Sequence, residues 1–316
     1  VNRSPALTTT LPGEKSVPAR ILDILHAVWR QLTINKKVAT GSVIVAIFVI
    51  VAIIGPFFVS QTPNAISHVA NAKPSAEHLL GTTDLGQDIF SQLVAGTRNS
   101  IFWGFVTGLA VTIISMVVGL VAGYFGGIVD DILSLLTNVF LVLPGLPLAI
   151  VFASYFPHGE VTVALAVILT NWAWGARMLR AQTLSVRSRE FVTAARSCGE
   201  SAWRIIFFEI LPNEISIIAA NFVSTTIFVI LAIASLEYLG LGDFNTVSWG
   251  MLLYEAQVGQ ALFANALWWF VPPGLCIALL GAGLALINFG IDEIADPRLR
   301  TEPTLKRIKK KLIHQS

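Results

Sequence analysis

Four arginines, Arg187, Arg189, Arg196 and Arg204, share the stretch RSREFVTAARSCGESAWRIIFFEILPN (187–213) with an apolar stripe, Trp203, Ile206, Phe207 and Ile210. The stripe recurs at i, i+3, i+4 and i+7, one face of a short helix. A basic rim around an apolar face is contact chemistry. Aromatic anchors fill pockets on a partner, and guanidinium groups meet its acids. Gly199 falls between two helix-compatible segments, where a turn costs least, and Pro212 is expected to end the second. The stretch reads as helix, turn and short amphipathic helix at a membrane surface. An amphipathic connector lying in the headgroups has the same spacing.

Bond-making chemistry has no comparable set of residues. The sequence has no Gly-Lys dipeptide, hence no phosphate-cradling GxxxxGK[ST] loop, and neither HExxH nor GxSxG occurs. Cys198 and Cys276 suit neither a metal nor a disulfide and read as small packing residues; no metal site is expected. His158 stands alone in a short loop. Glu214 and Glu237 bracket an apolar span, whereas an ion-coupled carrier keeps an ionisable group near its centre. If the chain moves a solute uphill, a partner supplies the energy. Asn138, Asn171, Asn221 and Thr225 lie inside apolar spans, as solute contacts or as interhelical hydrogen bonds.

The elements that hold these residues are membrane spans. The chain is 54% hydrophobic and 13% charged, with a mean hydropathy of +0.72, far from the roughly 25% charged residues of soluble domains. Six spans near the ~20 residues needed to cross hydrocarbon are expected at 38–59, 100–125, 130–155, 160–181, 214–236 and 263–289. The first is too long for a signal-peptide core and reads as an uncleaved anchor. Residues 1–17 look disordered; Ile21, Ile24, Leu25 and Val28 put an amphipathic helix in the 1–37 segment, just before the first span. Of 21 Lys and Arg residues, all but Lys73 and Arg98 fall before the first span, between Arg177 and Arg204, or after the last span. The positive-inside rule then places both termini and the 182–213 loop in the cytoplasm. Gly104/Gly108 and Gly119/Gly123 have GxxxG spacing for close helix contact, and Pro144 and Pro147 interrupt the third span. The external loops 60–99 and 237–262 mix glycine turns with acidic and aromatic residues, as a surface for an external partner does; Asp84, Asp88, Asp243 and Trp249 are its candidates.

Ordered motifs run through these segments. Thr193-Ala194-Ala195, Gly199 and Leu211-Pro212 keep the spacing of Glu-Ala-Ala, three residues, Gly, nine residues, Ile, one residue, Leu-Pro, with Thr193 for Glu and Glu209 for Ile. HLLGTTDLGQDIFSQLVAGTRNS (78–100), SLEYLGLGDFNTVSWGMLL (235–253) and DEIADPRLR (292–300) accompany them. Over about 78–300 the chain resembles the membrane permeases of bacterial binding-protein-dependent ABC importers, specifically the C-type permease of the dipeptide, oligopeptide and nickel branch.

That resemblance implies an all-α membrane protein with the six-span type I importer permease fold, its five-helix core at 100–290 and a basic cytoplasmic tail at 291–316. It implies that the central loop is a coupling helix seated in a cytoplasmic ATPase subunit. Thr193, Ala194, Ala195, Arg196, Gly199, Trp203, Arg204, Phe207, Leu211 and Pro212 would form that contact. The implied partners are a homologous B-type permease, two ATPase subunits, an extracytoplasmic solute-binding protein and the lipid of a bacterial plasma membrane; nucleic acid is not among them. ATP and Mg would belong to the ATPases, with no cofactor and no enzymatic activity on this chain. The expected cargo is short peptides, with oligosaccharides, nickel chelates or glutathione as alternatives on the same architecture. A stand-alone secondary carrier would leave the basic loop without a role.

Overall fold

In hydrocarbon each backbone N–H must find its acceptor within its own segment or a closed barrel, and this chain resolves the demand with helices. The computed structural model describes residues 36–59, 65 and 69–295. The helices are α1 (Lys36–Phe58), α2 (Ile89–Phe125), α3 (Gly127–Val142), α4 (Gly145–Tyr155), α5 (Glu160–Arg187), α6 (Glu190–Ser197), α7 (Ala202–Tyr238), α8 (Trp249–Val258) and α9 (Leu267–Ala295). Among the described residues, α1, α2, α5, α7 and α9 are each long and apolar enough to cross a bilayer. α3 and α4, which meet at 89°, are together long and apolar enough to count as a sixth span, broken at the bend. The amphipathic helix expected before the first span and the basic tail lie outside the described residues.

The break at Leu143-Pro144 follows from its prolines. Pro144 is the N-cap of α4 and Pro147 lies in its first turn. The first N–H groups of a helix have no intrahelical acceptor, so a proline there removes a donor that lipid could not satisfy. Ala149 and Ala153 of α4 are buried in one core with Val163, Val167 and Trp172 of α5, so protein covers the bend.

Several spans are longer than the hydropathy pattern implies. α2 starts at Ile89, inside the expected external loop, because Asp88 caps it by accepting from Ser91 N (2.9 Å) and Ser91 Oγ (2.6 Å). α7 is 37 residues long, ~55 Å of continuous helix. Pro212 does not end it, contrary to expectation. A π-helical stretch, Ile205–Ile210, precedes the proline, and Leu211 N bonds back to Ile206 O. A wider turn accommodates a proline that would otherwise clash with the carbonyl four residues earlier.

α2 is the central helix, and its glycines set its neighbours. A Cβ on Gly104 would stand 2.5 Å from Ile230 Cγ1, and one on Gly108 would stand 2.6 Å from Thr226 Oγ1, both on α7. On Gly119 it would stand 2.8 Å from the Ala176 carbonyl oxygen, and on Gly123 2.6 Å from Thr183 Cβ, both on α5. Small residues let helices approach where lipid offers no hydrophobic drive. Arg180 of α5 binds both oxygens of Asp130 on α3. Arg187 donates to the Gly123 and Tyr124 carbonyls at 3.2 and 3.0 Å, capping the C-terminal end of α2.

Gly119→Leu is therefore expected to destabilise the chain by about 1–3 kcal/mol through overpacking. Gly274→Ala, whose Cβ meets nothing within 4 Å, should shift stability by less than about 1 kcal/mol. Thermal unfolding in detergent checks both; equal midpoints for the two variants would contradict the packing account.

Candidate functional site

Helix α6 and the turn after it stand at the end of the bundle where α2 and α5 finish and α7 begins. Glu190 in its first turn and Arg196 in its last suit the helix dipole. Gly199, at φ +81, ends the helix: its N–H bonds Arg196 O (3.0 Å) and Glu200 N bonds Ala195 O (3.2 Å). This pair is a Schellman motif, whose left-handed residue is cheapest as glycine. Ser201 Oγ then accepts from Arg204 N at the start of α7.

The ten residues expected at this contact fall into an inner and an outer set. Thr193, Ala194, Gly199, Trp203, Phe207 and Pro212 are exposed. Ala195 and Leu211 pack against an inner cluster that holds Leu120, Tyr124, Val186, Val192, Ile205, Ile206 and Ile210. The single apolar stripe is thus corrected. The π-helical turn sends Ile206 and Ile210 inward and leaves Trp203 and Phe207 outward, stacked on each other with centroids 6.2 Å apart. Arg196 lies over the Tyr124 ring at 4.9 Å, and Arg204 pairs with Glu200 at 2.8 Å. Phe208, 74% exposed, extends the aromatic rim and was missed; the Phe-Phe pair was its signal, since regular α spacing offers no reason for both to face out. Cys198 is exposed, not a packing residue.

A second feature opens between α5, α7 and α9: a cleft of about 630 Å³. It brings together Asn171, Asn221 and Thr225, and adds Ser224, Asn288 and the aromatic Trp174 and Phe228. Asn138 is elsewhere, exposed on α3. None of the lining residues is ionisable. Asn221 Nδ2 and Asn288 Oδ1 are buried without a partner, and a buried polar group left so costs ~1–3 kcal/mol. Ser224 and Asn288 escaped the sequence reading because one polar residue in a span carries no sign of which neighbour it meets.

At the opposite end, the motifs of the two loops expected to be external turn out to hold the loops themselves. Asp88, 7% exposed, caps α2 and pairs with His78 Nδ1 at 3.0 Å. Trp249 is 0% exposed; its backbone N–H reaches Ser100 Oγ (3.0 Å) and its ring packs edge-on to Phe48. Neither presents a surface, which corrects their assignment as partner contacts. Glu237 Oε2 accepts from Ser248 Oγ at 2.7 Å, and a Cβ on Gly250 would collide with that carboxylate, so the Ser-Trp-Gly motif is a packing device. Asp84 is exposed, and Asp243 is half-buried, accepting from Asn245 N at 2.8 Å. Phe263, 89% exposed, and Phe244 share this end. Among the described residues, no group of three or more His, Cys, Asp or Glu could hold a metal ion.

The family profile described as "Binding-protein-dependent transport system inner membrane component" matches residues 115–301. That for the "N-terminal TM domain of oligopeptide transport permease C" matches residues 24–75. The chain belongs to the binding-protein-dependent transport permeases. A dipeptide transport system permease protein of Bacillus subtilis (strain 168) is 32% identical over 291 residues, covering 90% of this chain and 89% of the relative. A glutathione transport system permease protein of Pectobacterium atrosepticum is 33% identical over 232 residues, covering 73% and 76%. The methionine ABC transporter MetNI, solved in inward-facing conformations, superposes with a TM-score of 0.51 at 19% identity, over 64% of this chain and 94% of that one. The fold is that of an ABC importer permease, and the chain is a multi-pass membrane protein.

One group outside the permease's spans titrates in an unusual range. Burial, and secondly the Asp84 carboxylate, push the Glu255 carboxyl from 4.5 up to about 7. Between those values the folded permease holds a proton that the unfolded chain has lost. The associated stability is full below 4.5 and gone once pH passes about 7. The thermal midpoint should therefore fall from about pH 5 to about pH 8, and Glu255→Gln should flatten that fall and be the more stable protein at the higher pH. Identical pH profiles for the two would contradict the assignment.

Proposed function

We propose that this permease imports short peptides along a path it shares with a second, homologous B-type permease, driven by two ATPase subunits, one of which grips α6. The carrying observation is the continuity of α7. One helix runs from Trp203 at the arginine-rich end, past Asn221 in the cleft, to Glu237 at the far end. The cluster of Val192, Ile205 and Ile210 with Leu120 and Val186 fastens α6 to α2, α5 and α7. A displacement at α6 is thereby delivered to the cleft walls without an intervening joint, which lets the cavity alternate its access.

In this reading the arginine-rich end faces the cytoplasm, in accord with the positive-inside pattern, and the membrane is a bacterial plasma membrane. The exposed Thr193-Ala194 face of α6 allows close packing, and Trp203, Phe207 and Phe208 form the aromatic rim around it. ATP and Mg stay with the ATPases. An extracytoplasmic binding protein releases cargo at the opposite end, where Asp84, Asp243, Phe244 and Phe263 are presented. The Bacillus relative's name supports a dipeptide cargo; glutathione, named for the Pectobacterium relative, is itself a tripeptide.

Trp203→Ala combined with Phe208→Ala should weaken the hold on the ATPase subunits by roughly 30-fold, about 2 kcal/mol for the loss of an aromatic anchor. The chain should still insert in the membrane. Gly199→Val should uncouple uptake as well, through strain at φ +81, because its Cβ meets nothing in the chain. ATPase co-purification and peptide uptake in liposomes are the readouts. Undiminished values of both would sink the proposal.

A further inference from the structure

The cleft contains an amide that is open at both ends. Asn221 is 7% exposed, yet its Nδ2 finds no acceptor and no donor reaches its carbonyl oxygen. Turning the amide end for end leaves the same donor and acceptor on offer. Gly175 on α5 makes the room: a Cβ there would stand 3.0 Å from Asn221 Nδ2 and 2.7 Å from Ser115 Oγ. On α9, Asn288 donates through Nδ2 to Ser224 Oγ at 3.0 Å and keeps its own carbonyl oxygen unpartnered. Asn171 uses its Nδ2 on Val167 O (2.8 Å) and Thr170 Oγ1 (2.9 Å), which leaves its carbonyl oxygen as an acceptor.

Buried polar groups in native proteins are almost always paired, and an exception marks a water or a ligand. The required complement is neutral, with one donor and one acceptor side by side. In an extended peptide the N–H and C=O of a single residue point to the same side, within reach of one carboxamide. The geometry points to Asn221, with Asn288 on the facing helix, as a receptor for the backbone of an extended peptide passing through the cleft. This rests on the importer reading above and adds what the path recognises: the peptide group itself. Trp174, Phe228 and Met178 offer the cargo's side chains an uncharged wall, so no cargo charge is selected on this side.

The test uses the complete transporter in liposomes with saturating loaded binding protein. Two cargoes are compared, trialanine and its analogue methylated on the backbone nitrogen of the middle residue, as molecules imported per ATP hydrolysed. The wild type should import the methylated cargo roughly tenfold less efficiently, the worth of one hydrogen bond in the path. Asn221→Leu should bring trialanine down to that level and abolish the difference, and Asn221→Gln should restore part of it. Two outcomes overturn the inference: an Asn221→Leu ratio within about twofold of wild type, or uptake and hydrolysis falling in proportion, as a purely structural role requires. A hydroxyl-rich oligosaccharide imported by the wild type and cut equally by Asn221→Leu overturns the peptide assignment. A wild-type complex that imports neither peptide overturns the importer reading itself.

Discussion

Two neighbours hold α2 at separations that no side chain larger than hydrogen permits. Gly104 and Gly108 admit α7, and Gly119 and Gly123 admit α5, nearly backbone to backbone. In hydrocarbon, where apolar side chains gain nothing by leaving lipid for protein, such approaches are what fix relative helix positions. They also decide where the functional parts lie. With α5 and α7 set against one helix, their free faces diverge on the other side, and α9 completes the cleft with Asn288. The same approach brings the end of α2 beneath α6, where Leu120 and Tyr124 meet Val192.

Charges reinforce this frame at its arginine-rich end and leave the cleft alone. Arg180 is used on Asp130, Arg187 on the last carbonyls of α2, Arg204 on Glu200 and Arg196 on the Tyr124 ring. Each cation thus holds a helix end or the turn after α6 in place. What α6 leaves for another protein is its small-residue face and the aromatic rim. In the proposed assembly that division lets an ATPase subunit push on a stiff object.

Much of this architecture was legible in the chain. Hydropathy located the spans, because lipid admits only long apolar helices, and both GxxxG pairs proved to be contact points. Gly199 was readable as a turn, since its flanks are helix-compatible. The course of α7 was not, because Pro212 looks like a terminator in sequence and only the π-helical turn before it shows otherwise. The same turn redistributed Trp203, Ile206, Phe207 and Ile210, which regular α spacing had placed on one face. Asp88 and Trp249 sit in motifs that suggested an outer surface, yet they serve caps and packing; a motif's residues say nothing about the direction in which they point. Three of the polar residues picked out in spans meet in the cleft, whereas Asn138 lies on α3, on the far side of a break whose angle no periodicity encodes.

In the proposed cycle α7 moves as one piece between the arginine-rich end and the cleft. Spin labels at Glu209 and Ser235, in a chain with Cys198→Ser and Cys276→Ser, sit on either side of Pro212 ~39 Å apart. Pulsed dipolar spectroscopy on the full transporter reads that distance in nucleotide-free and ATP-trapped states. An unchanged distance, within about 2 Å, while peptide transport is retained, is the result a rigid rod requires. A shift of about 5 Å or more between the states would mean that α7 bends at Pro212 and that the coupling runs by another route.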